Sequence, residues 1–263
     1  MKIAVCLKQV PDTEARLRVN DAGTWIEEED LSFAINESDE CALEEALKIA
    51  EATEGEVVVF SLGPARVGEA LRKALALGAD RAVHLEDEAF AGGDALSTAR
   101  ALAAAIERED FDLILTGSQS DDLGFGVTAS LVAGHLALPH AWLVMGIEVE
   151  DGGTARVVRE MESGKNEILR LTLPAVLEVQ AGINHPRYAS LKGIMQAKRK
   201  PIDKLGVEDL GLSADEVGAQ GAGLEVLSVG FPDSGAAAQI LEGDPASVAA
   251  QLVEKLQKEA RVL

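Results

Sequence analysis

The chain has 263 residues, of which 47% are hydrophobic and 26% are charged, and its 45 acidic residues outnumber 24 basic ones to give a net charge of −21. The acidic excess argues against a nucleic-acid partner, because phosphate backbones repel a surface of the same sign. No stretch approaches the roughly eighteen uninterrupted apolar residues of a transmembrane helix, and the N-terminus lacks a signal-peptide core, so we expect a cytoplasmic protein without direct membrane insertion.

The first half of the chain alternates short apolar runs with segments whose apolar residues recur at helical spacing. The predicted strands span residues 3–7, 56–62, 81–85 and 113–116. The predicted helices span residues 40–52, 67–77, 96–106 and 127–136. This β-α-β-α rhythm predicts an α/β fold with a doubly wound, mostly parallel sheet.

The pattern changes after residue 146. Antiparallel strands separated by glycine-containing turns are predicted at 147–150, 155–161 and 168–173, and they indicate an antiparallel hairpin insertion. A buried strand at 174–179 is predicted to return to the main sheet.

The end of the chain has a looser composition. Residues 206–223 are glycine-rich with little periodicity, which indicates an extended arm, and a late strand is predicted at 224–229. Asp244 and Pro245 then form a helix start, as N-cap and first helical residue. The last helix has one apolar face, which needs either its own domain or a partner to pack on.

The glycine loop, residues 117–128, follows the fourth predicted strand and leads into a helix. In open α/β sheets, ligands collect beyond the carboxyl ends of the strands, and the free N–H groups of a helix N-terminus suit a phosphate. The loop matches neither a Walker A motif nor a GxGxxG fingerprint, so a plain connection stays an alternative to a nucleotide site. Asp121 and Asp122 would repel phosphate, but they are suited to bind ribose hydroxyls or to cap the helix.

The sequence contains no recognisable catalytic or metal-binding pattern. Its four histidines lie far apart without HExxH or HxH spacing, and it has no GxSxG motif. Cys6 and Cys41 form no CxxC pair, so we expect two reduced core thiols. Residues 36–40 read most simply as a helix N-terminus with Ser38 or Asp39 as its cap. We therefore predict no catalytic residues and no metal site.

The basic segment, residues 183–200, contains five basic residues and no acidic ones in an otherwise acidic chain. Tyr188, Leu191 and Met195 are spaced three and four residues apart, which places them on one face of a helical turn. Apolar residues surrounded by positive charge indicate a surface loop that another macromolecule holds.

These features resemble the electron transfer flavoprotein beta subunit. Within the basic segment, residues 184–198 (NHPRYASLKGIMQAK) are similar to that family's recognition loop. Other stretches agree in order and spacing over about residues 1–200, namely VCLKQV at 5–10, NESDECALEEA at 36–46, GPA at 63–65, ALALGADR at 74–81, VRE at 158–160 and LPAV at 173–176.

The resemblance implies a fold of the adenine-nucleotide-binding type and a heterodimer with an alpha subunit that holds most of a redox-active FAD. The chain would be an electron carrier subunit rather than an enzyme in its own right, and it would hold a structural AMP. The α/β nucleotide-binding domain, which includes the basic segment, would span residues 1–200. The C-terminal arm, residues 201–263, would pack on the alpha subunit.

Two partner surfaces also follow from the resemblance. Dehydrogenases would bind the basic segment. Leu191 would insert into a pocket of the dehydrogenase, and Tyr188, Ile194 and Met195 would lie beside Leu191. The neighbouring basic residues either steer the encounter or keep the segment exposed. Glu160 matches an acid that meets an arginine of the alpha subunit near the flavin, with a solvated strand carboxylate as the alternative.

The implied nucleotide contacts fall at two strand ends, at one helix start and along the glycine loop: Cys6, Asn36, Glu37, Ser38, Asp39, Leu62, Gly117, Ser118, Gln119, Ser120, Asp121, Asp122, Leu123, Gly124, Phe125, Gly126, Val127 and Thr128. The middle of the loop departs from AMP-binding members, so a second FAD, as in electron-bifurcating relatives that oxidise NADH, is the alternative to AMP. A stand-alone adenine-nucleotide binder of the universal-stress type is another alternative. An ATP-using enzyme of this fold would need an SGGxD-like loop, which the sequence lacks.

Overall fold

Strands and helices alternate along the first part of the chain, as the sequence predicts. A computed structural model of the protein describes residues 1–232 and 238–263. Its strands are β1 (Lys2–Cys6), β2 (Gln9–Pro11), β3 (Phe33–Ile35), β4 (Glu56–Leu62), β5 (Arg81–Leu85), β6 (Leu113–Gly117), β7 (His140–Glu150), β8 (Thr154–Met161), β9 (Lys165–Thr172), β10 (Ala175–Val179) and β11 (Ile202–Leu205). Its α-helices are α1 (Glu37–Thr53), α2 (Val67–Leu77), α3 (Ala95–Ile106), α4 (Thr128–Leu136), α5 (Leu191–Ala197), α6 (Gly218–Gly221) and α7 (Pro245–Lys255).

Nine strands form one sheet in the order β11-β5-β4-β1-β6-β10-β7-β8-β9. Neighbouring strands from β11 to β7 run parallel, whereas β7, β8 and β9 pair antiparallel. The chain builds β4 and β5 on one side of β1 and then returns to place β6 on the other side. The strand order therefore reverses beside β1, and the predicted doubly wound, mostly parallel α/β fold is confirmed.

Two apolar layers cover the sheet. Ile3 and Val5 of β1 pack with residues of α1 and α2, while Ala4 and Cys6 pack with residues of α3 and α4. Successive strand residues point to opposite faces, so a strand buried on both sides needs a continuous apolar run. Cys6 and Cys41 are free and buried, as predicted. Within the described chain, no helix combines the length and the apolarity that crossing a bilayer requires.

The predicted antiparallel insertion is confirmed as a three-stranded meander, β7 to β9, that continues the main sheet. β7 begins at His140 rather than at residue 147, because its first residues pair in parallel with β10 before the strand runs on to pair with β8. Leu143 has a left-handed backbone (φ 53°) and lies at the register shift within the pairing of β7 with β10. This irregularity and the polar His140 hide the strand from an apolar-pattern search. The predicted strand at 174–179 is confirmed as β10.

The predicted extended arm at 206–223 is wrong, because this segment packs on the body of the protein. Val207 and Val217 are buried against the α3 and α4 layer, and Arg100 Nη1 donates to the carbonyl oxygen of Glu216 at 2.7 Å. The predicted late strand at 224–229 is also wrong, since β11 already occupies the sheet edge beside β5 and these residues have no regular structure.

The final helix starts as predicted. Asp244 caps α7 by accepting hydrogen bonds from the N–H groups of Ala246 and Ser247 at 3.1 Å, and Pro245 is its first residue. None of the described residues of α7 is buried, and Leu252 and Val253 are 48% and 46% exposed. The apolar face of this helix therefore remains open in the isolated chain.

Candidate functional site

A large cavity opens where the strand order reverses. The carboxyl ends of β1, β4 and β6 supply Cys6, Leu62 and Thr116 to its lining, and its volume is about 1520 Å³. Ligand pockets typically measure about 300–1,000 Å³, so this cavity has room for a nucleotide or for a larger group. Its position is the one at which open α/β sheets bind ligands.

Asp39 ties two of these strand ends together. Its Oδ2 accepts a hydrogen bond from the N–H of Lys8 at 2.7 Å, and its Oδ1 accepts one from the N–H of Gly117 at 2.8 Å. Burial raises the pKa of Asp39 to about 7, although these N–H donors and the nearby Lys8 charge oppose the rise. The carboxyl group therefore fixes the spacing between the end of β1 and the start of the glycine loop.

Asn36 and Ser38 hold the glycine loop from below. Asn36 Nδ2 donates to the carbonyl oxygen of Gln119 at 2.9 Å, and Asn36 Oδ1 accepts from the N–H of Asp121 at 2.9 Å. Ser38 Oγ donates to the same Gln119 oxygen at 3.0 Å. The predicted capping role of Ser38 or Asp39 is wrong, because Asn36 is the N-cap of α1 and these side chains bond to the loops instead.

Lys8 crosses the mouth of the cavity to the glycine loop. Its Nζ lies 2.6 Å from Asp122 Oδ1 and 3.3 Å from Ser120 Oγ, and Asp122 Oδ1 also accepts from the N–H of Leu123 at 2.6 Å. Burial acts to raise the pKa of Asp122, but the Lys8 charge and these hydrogen bonds outweigh it and lower the pKa. Asp122 is thus a fixed anion paired with Lys8.

The helix after the glycine loop has no side-chain cap. α4 begins at Thr128, and its N-cap Val127 has no side chain that can accept a hydrogen bond. The suggestion that Asp121 or Asp122 caps this helix is therefore wrong. The first N–H groups of α4 lie at the cavity, because Val127, Thr128 and Ala129 all line it.

Most of the predicted nucleotide contacts come together at this cavity. Its lining includes Cys6, Asn36, Asp39, Leu62, Gly117, Ser118, Gln119, Ser120, Asp122, Leu123, Phe125, Gly126, Val127 and Thr128. Four predicted residues lie beside it rather than in its lining: Glu37, Ser38, Asp121 and Gly124. Lys8 and the turn at 63–66 also line the cavity, although they were not among the predicted contacts, and each follows a strand that ends at the same edge of the sheet.

Cys6 lines the cavity but supplies no reactive group. Burial, followed by the proximity of Asp39, raises the pKa of the Cys6 thiol to about 12. A thiol is a nucleophile only as the thiolate, so Cys6 is chemically inert here at neutral pH.

The basic segment lies at a separate surface and presents an apolar face. Ser190 caps α5 by accepting a hydrogen bond from the N–H of Gly193 at 3.0 Å. Tyr188 is 98% exposed, Leu191 83%, Met195 72% and Ile194 45%. Leu191, Ile194 and Met195 lie on the short helix α5, whereas Tyr188 precedes the N-cap Ser190 and is not part of the predicted helical turn.

Two of the five basic residues hold the segment in place. Arg187 bonds to Glu44 at 2.9 Å and to Glu51 at 2.5 Å on α1, and these bonds raise the pKa of Arg187. Lys200 Nζ donates to the carbonyl oxygen of Ala79 at 2.5 Å, just past the end of α2. Lys200 is therefore a structural residue, and the exposed cations of the segment are Lys192, Lys198 and Arg199.

We expect Arg187→Met to loosen the start of the basic segment. Glu44 is buried, so loss of its partner leaves a desolvated carboxylate, and we expect the free energy of unfolding to fall by about 1–3 kcal/mol. Hydrogen exchange of residues 184–190 should become faster. Arg199→Met is the matched control, since its side chain is exposed and the change should stay within about 0.5 kcal/mol. Equal effects of the two substitutions would contradict the role of Arg187 in holding the basic segment to α1.

Glu160 lies outside the cavity lining. It is exposed on β8 opposite Asn166 of β9, and β10 and β7 separate its strand from β6. The structure therefore does not bring Glu160 to the cavity. Its predicted role depends on a second protein subunit.

Comparison with known proteins gives these features a family context. The sequence model of the electron transfer flavoprotein domain matches residues 23–210. Electron transfer flavoprotein subunit beta of Methylophilus methylotrophus is 42% identical over 257 residues, which cover 97% of each chain. Electron transfer flavoprotein subunit beta of Mycobacterium tuberculosis is 40% identical over 222 residues, which cover 82% of this chain and 83% of the relative. The caffeyl-CoA reductase-Etf complex subunit CarD of Acetobacterium woodii is 38% identical over 261 residues, which cover 98% of each chain.

Proposed function

Because the chain belongs to the electron transfer flavoprotein beta-subunit family, we propose that it pairs with an alpha subunit and passes electrons from dehydrogenases through an FAD that the two subunits share. In this proposal the beta chain supplies a nucleotide site and a docking surface. FAD supplies the redox chemistry, and most of its contacts belong to the alpha subunit. We assign no catalytic residue to this chain.

The main support for the proposal is the exposed apolar face of the basic segment. Leu191 and Met195 lie on α5 and Tyr188 lies just before it, in a segment whose two ends are tied to α1 and α2, so these side chains are exposed without needing to fold on binding. A dehydrogenase pocket that takes up Leu191, with Ile194 at its rim, would use this display as a transient anchor.

The cavity suits an AMP as the structural nucleotide. The glycine loop offers backbone N–H groups and hydroxyls, and the uncapped N-terminus of α4 is directed at the same space. Gly126 has a left-handed backbone (φ 61°), which lets the loop turn sharply before α4. In this proposal the phosphate lies at the loop and at Thr128, and the adenosine lies over the strand ends at Cys6 and Leu62.

A second candidate is an FAD in the same cavity, with a bifurcating activity that oxidises NADH. The cavity is larger than a nucleoside monophosphate requires. The relative from Acetobacterium woodii is named as a subunit of a caffeyl-CoA reductase-Etf complex. AMP remains our first assignment.

We further propose that the end of the C-terminal arm packs on the alpha subunit. Residues 202–223 already belong to the body of this chain, whereas Leu227, Phe231 and Ile240 are between 69% and 85% exposed. Together with the open face of α7, these residues make an apolar surface that a second subunit would cover. Glu160 on β8 would meet the same subunit.

The nucleotide content of the purified heterodimer tests the proposal. Co-expression with the alpha subunit should give a yellow complex, and acid extraction should release one FAD and one AMP for each heterodimer. Two FAD with little AMP would favour the bifurcating assignment. A colourless monomer that retains ATP would contradict the electron-transfer proposal altogether.

A further inference from the structure

The basic residues that line the cavity are all neutralised by carboxylates. Within the part of the chain that the structure describes, the lining contains only three basic side chains. Lys8 lies 2.6 Å from Asp122, Arg66 lies 3.0 Å from Glu28, and Lys204 lies 2.5 Å from Glu86. A phosphate that enters the cavity therefore meets no basic group that is free of an acidic partner.

The remaining charge of the lining is negative. Five further acidic residues line the cavity: Asp39, Asp87, Glu88, Asp94 and Glu225. The lining thus holds eight acidic residues and three basic ones. Asp39 carries only part of a charge at neutral pH, since burial raises its pKa to about 7. Phosphate is therefore attracted only by uncharged donors, namely the backbone N–H groups of the glycine loop and of α4. The N-terminus of α4 carries about half a unit of positive charge.

We propose that this cavity selects nucleotides by net charge. By neutralising Lys8, Asp122 limits the number of negative charges that a bound nucleotide can carry. The inference rests on the proposed nucleotide site. A phosphomonoester carries about −1.5 to −2 at neutral pH, and each further phosphate group adds roughly one negative charge. AMP, and the pyrophosphate diester of FAD with about two charges, fall within the limit, whereas ADP and ATP exceed it.

Asp122 is fixed where it can exert this effect. Its side chain is 16% exposed although its backbone is open to solvent, and the N–H of Leu123 holds the same oxygen that pairs with Lys8. A polyphosphate that took Lys8 would leave the Asp122 carboxylate beside its own charge. Solvent screens a partly buried pair less than an exposed one, so this repulsion persists at physiological salt.

Nucleotide binding to the full heterodimer, stripped of bound nucleotide and held in EDTA, tests the inference by calorimetry. The unsubstituted protein should bind AMP at least 10-fold more tightly than ATP. Asp122→Asn keeps the acceptor for the N–H of Leu123 and leaves the Lys8 charge unpaired. The ratio of the affinity for AMP to the affinity for ATP should therefore fall about 5-fold or more. Lys8→Met combined with Asp122→Asn removes both charges and should restore the ratio.

Asp121→Asn is the matched control. It makes the same change of charge one residue earlier, at a side chain outside the cavity lining, and it should change the ratio less than about 2-fold. Equal affinities for AMP and ATP in the unsubstituted protein, or equal effects of the two asparagine substitutions, would overturn charge selection while leaving the nucleotide site in place. Failure of both AMP and ATP to bind would overturn the site itself.

Discussion

Leu191→Ala should lower the efficiency with which dehydrogenases reduce the heterodimer by about 10- to 100-fold. Leu191 is 83% exposed in the free chain, so its removal costs no packing within the subunit. Burial in a partner pocket contributes about 1.5–3 kcal/mol, and each 1.4 kcal/mol corresponds to about a factor of ten. Steady-state kcat/KM with a dehydrogenase that reduces the unsubstituted heterodimer measures the loss.

The kinetic loss should appear without any change in the carrier itself. Flavin absorbance, nucleotide content and heterodimer assembly should match those of the unsubstituted protein, because Leu191 is exposed and does not line the cavity. Lys192→Ala is the control on the same exposed turn, and it should change kcat/KM by less than about 3-fold at physiological salt. An unchanged kcat/KM for Leu191→Ala would contradict the role of Leu191 as an anchor. A larger loss for Lys192→Ala than for Leu191→Ala would indicate that docking depends on charge.

Helix α1 connects the two functional surfaces of the chain. Its N-terminal turn holds the glycine loop through Asn36, Ser38 and Asp39. Its middle and end hold the basic segment, since Asn184 Nδ2 donates to the carbonyl oxygen of Cys41 and Arg187 bonds to Glu44 and Glu51. One helix therefore sets the positions of both the nucleotide loop and the docking face.

The sequence predicts the features of this molecule that depend on local patterns. The alternating apolar runs give the parallel sheet, and the spacing of Leu191 and Met195 gives the exposed face of α5, whereas Tyr188 lies before that helix. These features are readable because strand and helix periodicity is repeated over neighbouring residues. The glycine loop is readable for a similar reason, since its glycines follow directly on an apolar strand.

The charge pairs could not be predicted, because their partners are distant in sequence. Lys8 and Asp122 are 114 residues apart, and Arg187 and Glu44 are 143 residues apart. A count of charges in the sequence therefore overestimates how many basic residues of the segment are free to bind a partner. Arg187 and Lys200 are bonded within the chain and stabilise the fold. The same reasoning applies to β11, which is too short to show a pattern and forms because β5 offers it an open edge.

Gly117→Ala should destabilise the protein by about 2–4 kcal/mol, because the substitution adds a methyl group where the end of β6 meets the first turn of α1. A Cβ at Gly117 would lie 2.2 Å from Ser38 Oγ, 2.3 Å from Asp39 Oδ1 and 2.8 Å from the backbone nitrogen of Asp39. The last of these is main chain, so relief requires α1 to move away from β6. Overpacking costs about 1–3 kcal/mol, and weakening the hydrogen bond from the N–H of Gly117 to the buried Asp39 carboxyl adds about 1 kcal/mol or more.

Thermal unfolding of the heterodimer measures this effect, with a midpoint lower by roughly 5–15 °C for a chain of this size. Nucleotide content should fall as well, because the same shift displaces the start of the glycine loop. Gly134→Ala is the matched control: Gly134 is exposed on α4, a Cβ there meets nothing within 4 Å, and alanine should stabilise the helix by about 0.5–1 kcal/mol. If both substitutions left the midpoint and the nucleotide content alike, close packing at Gly117 would not be what holds the loop over the cavity.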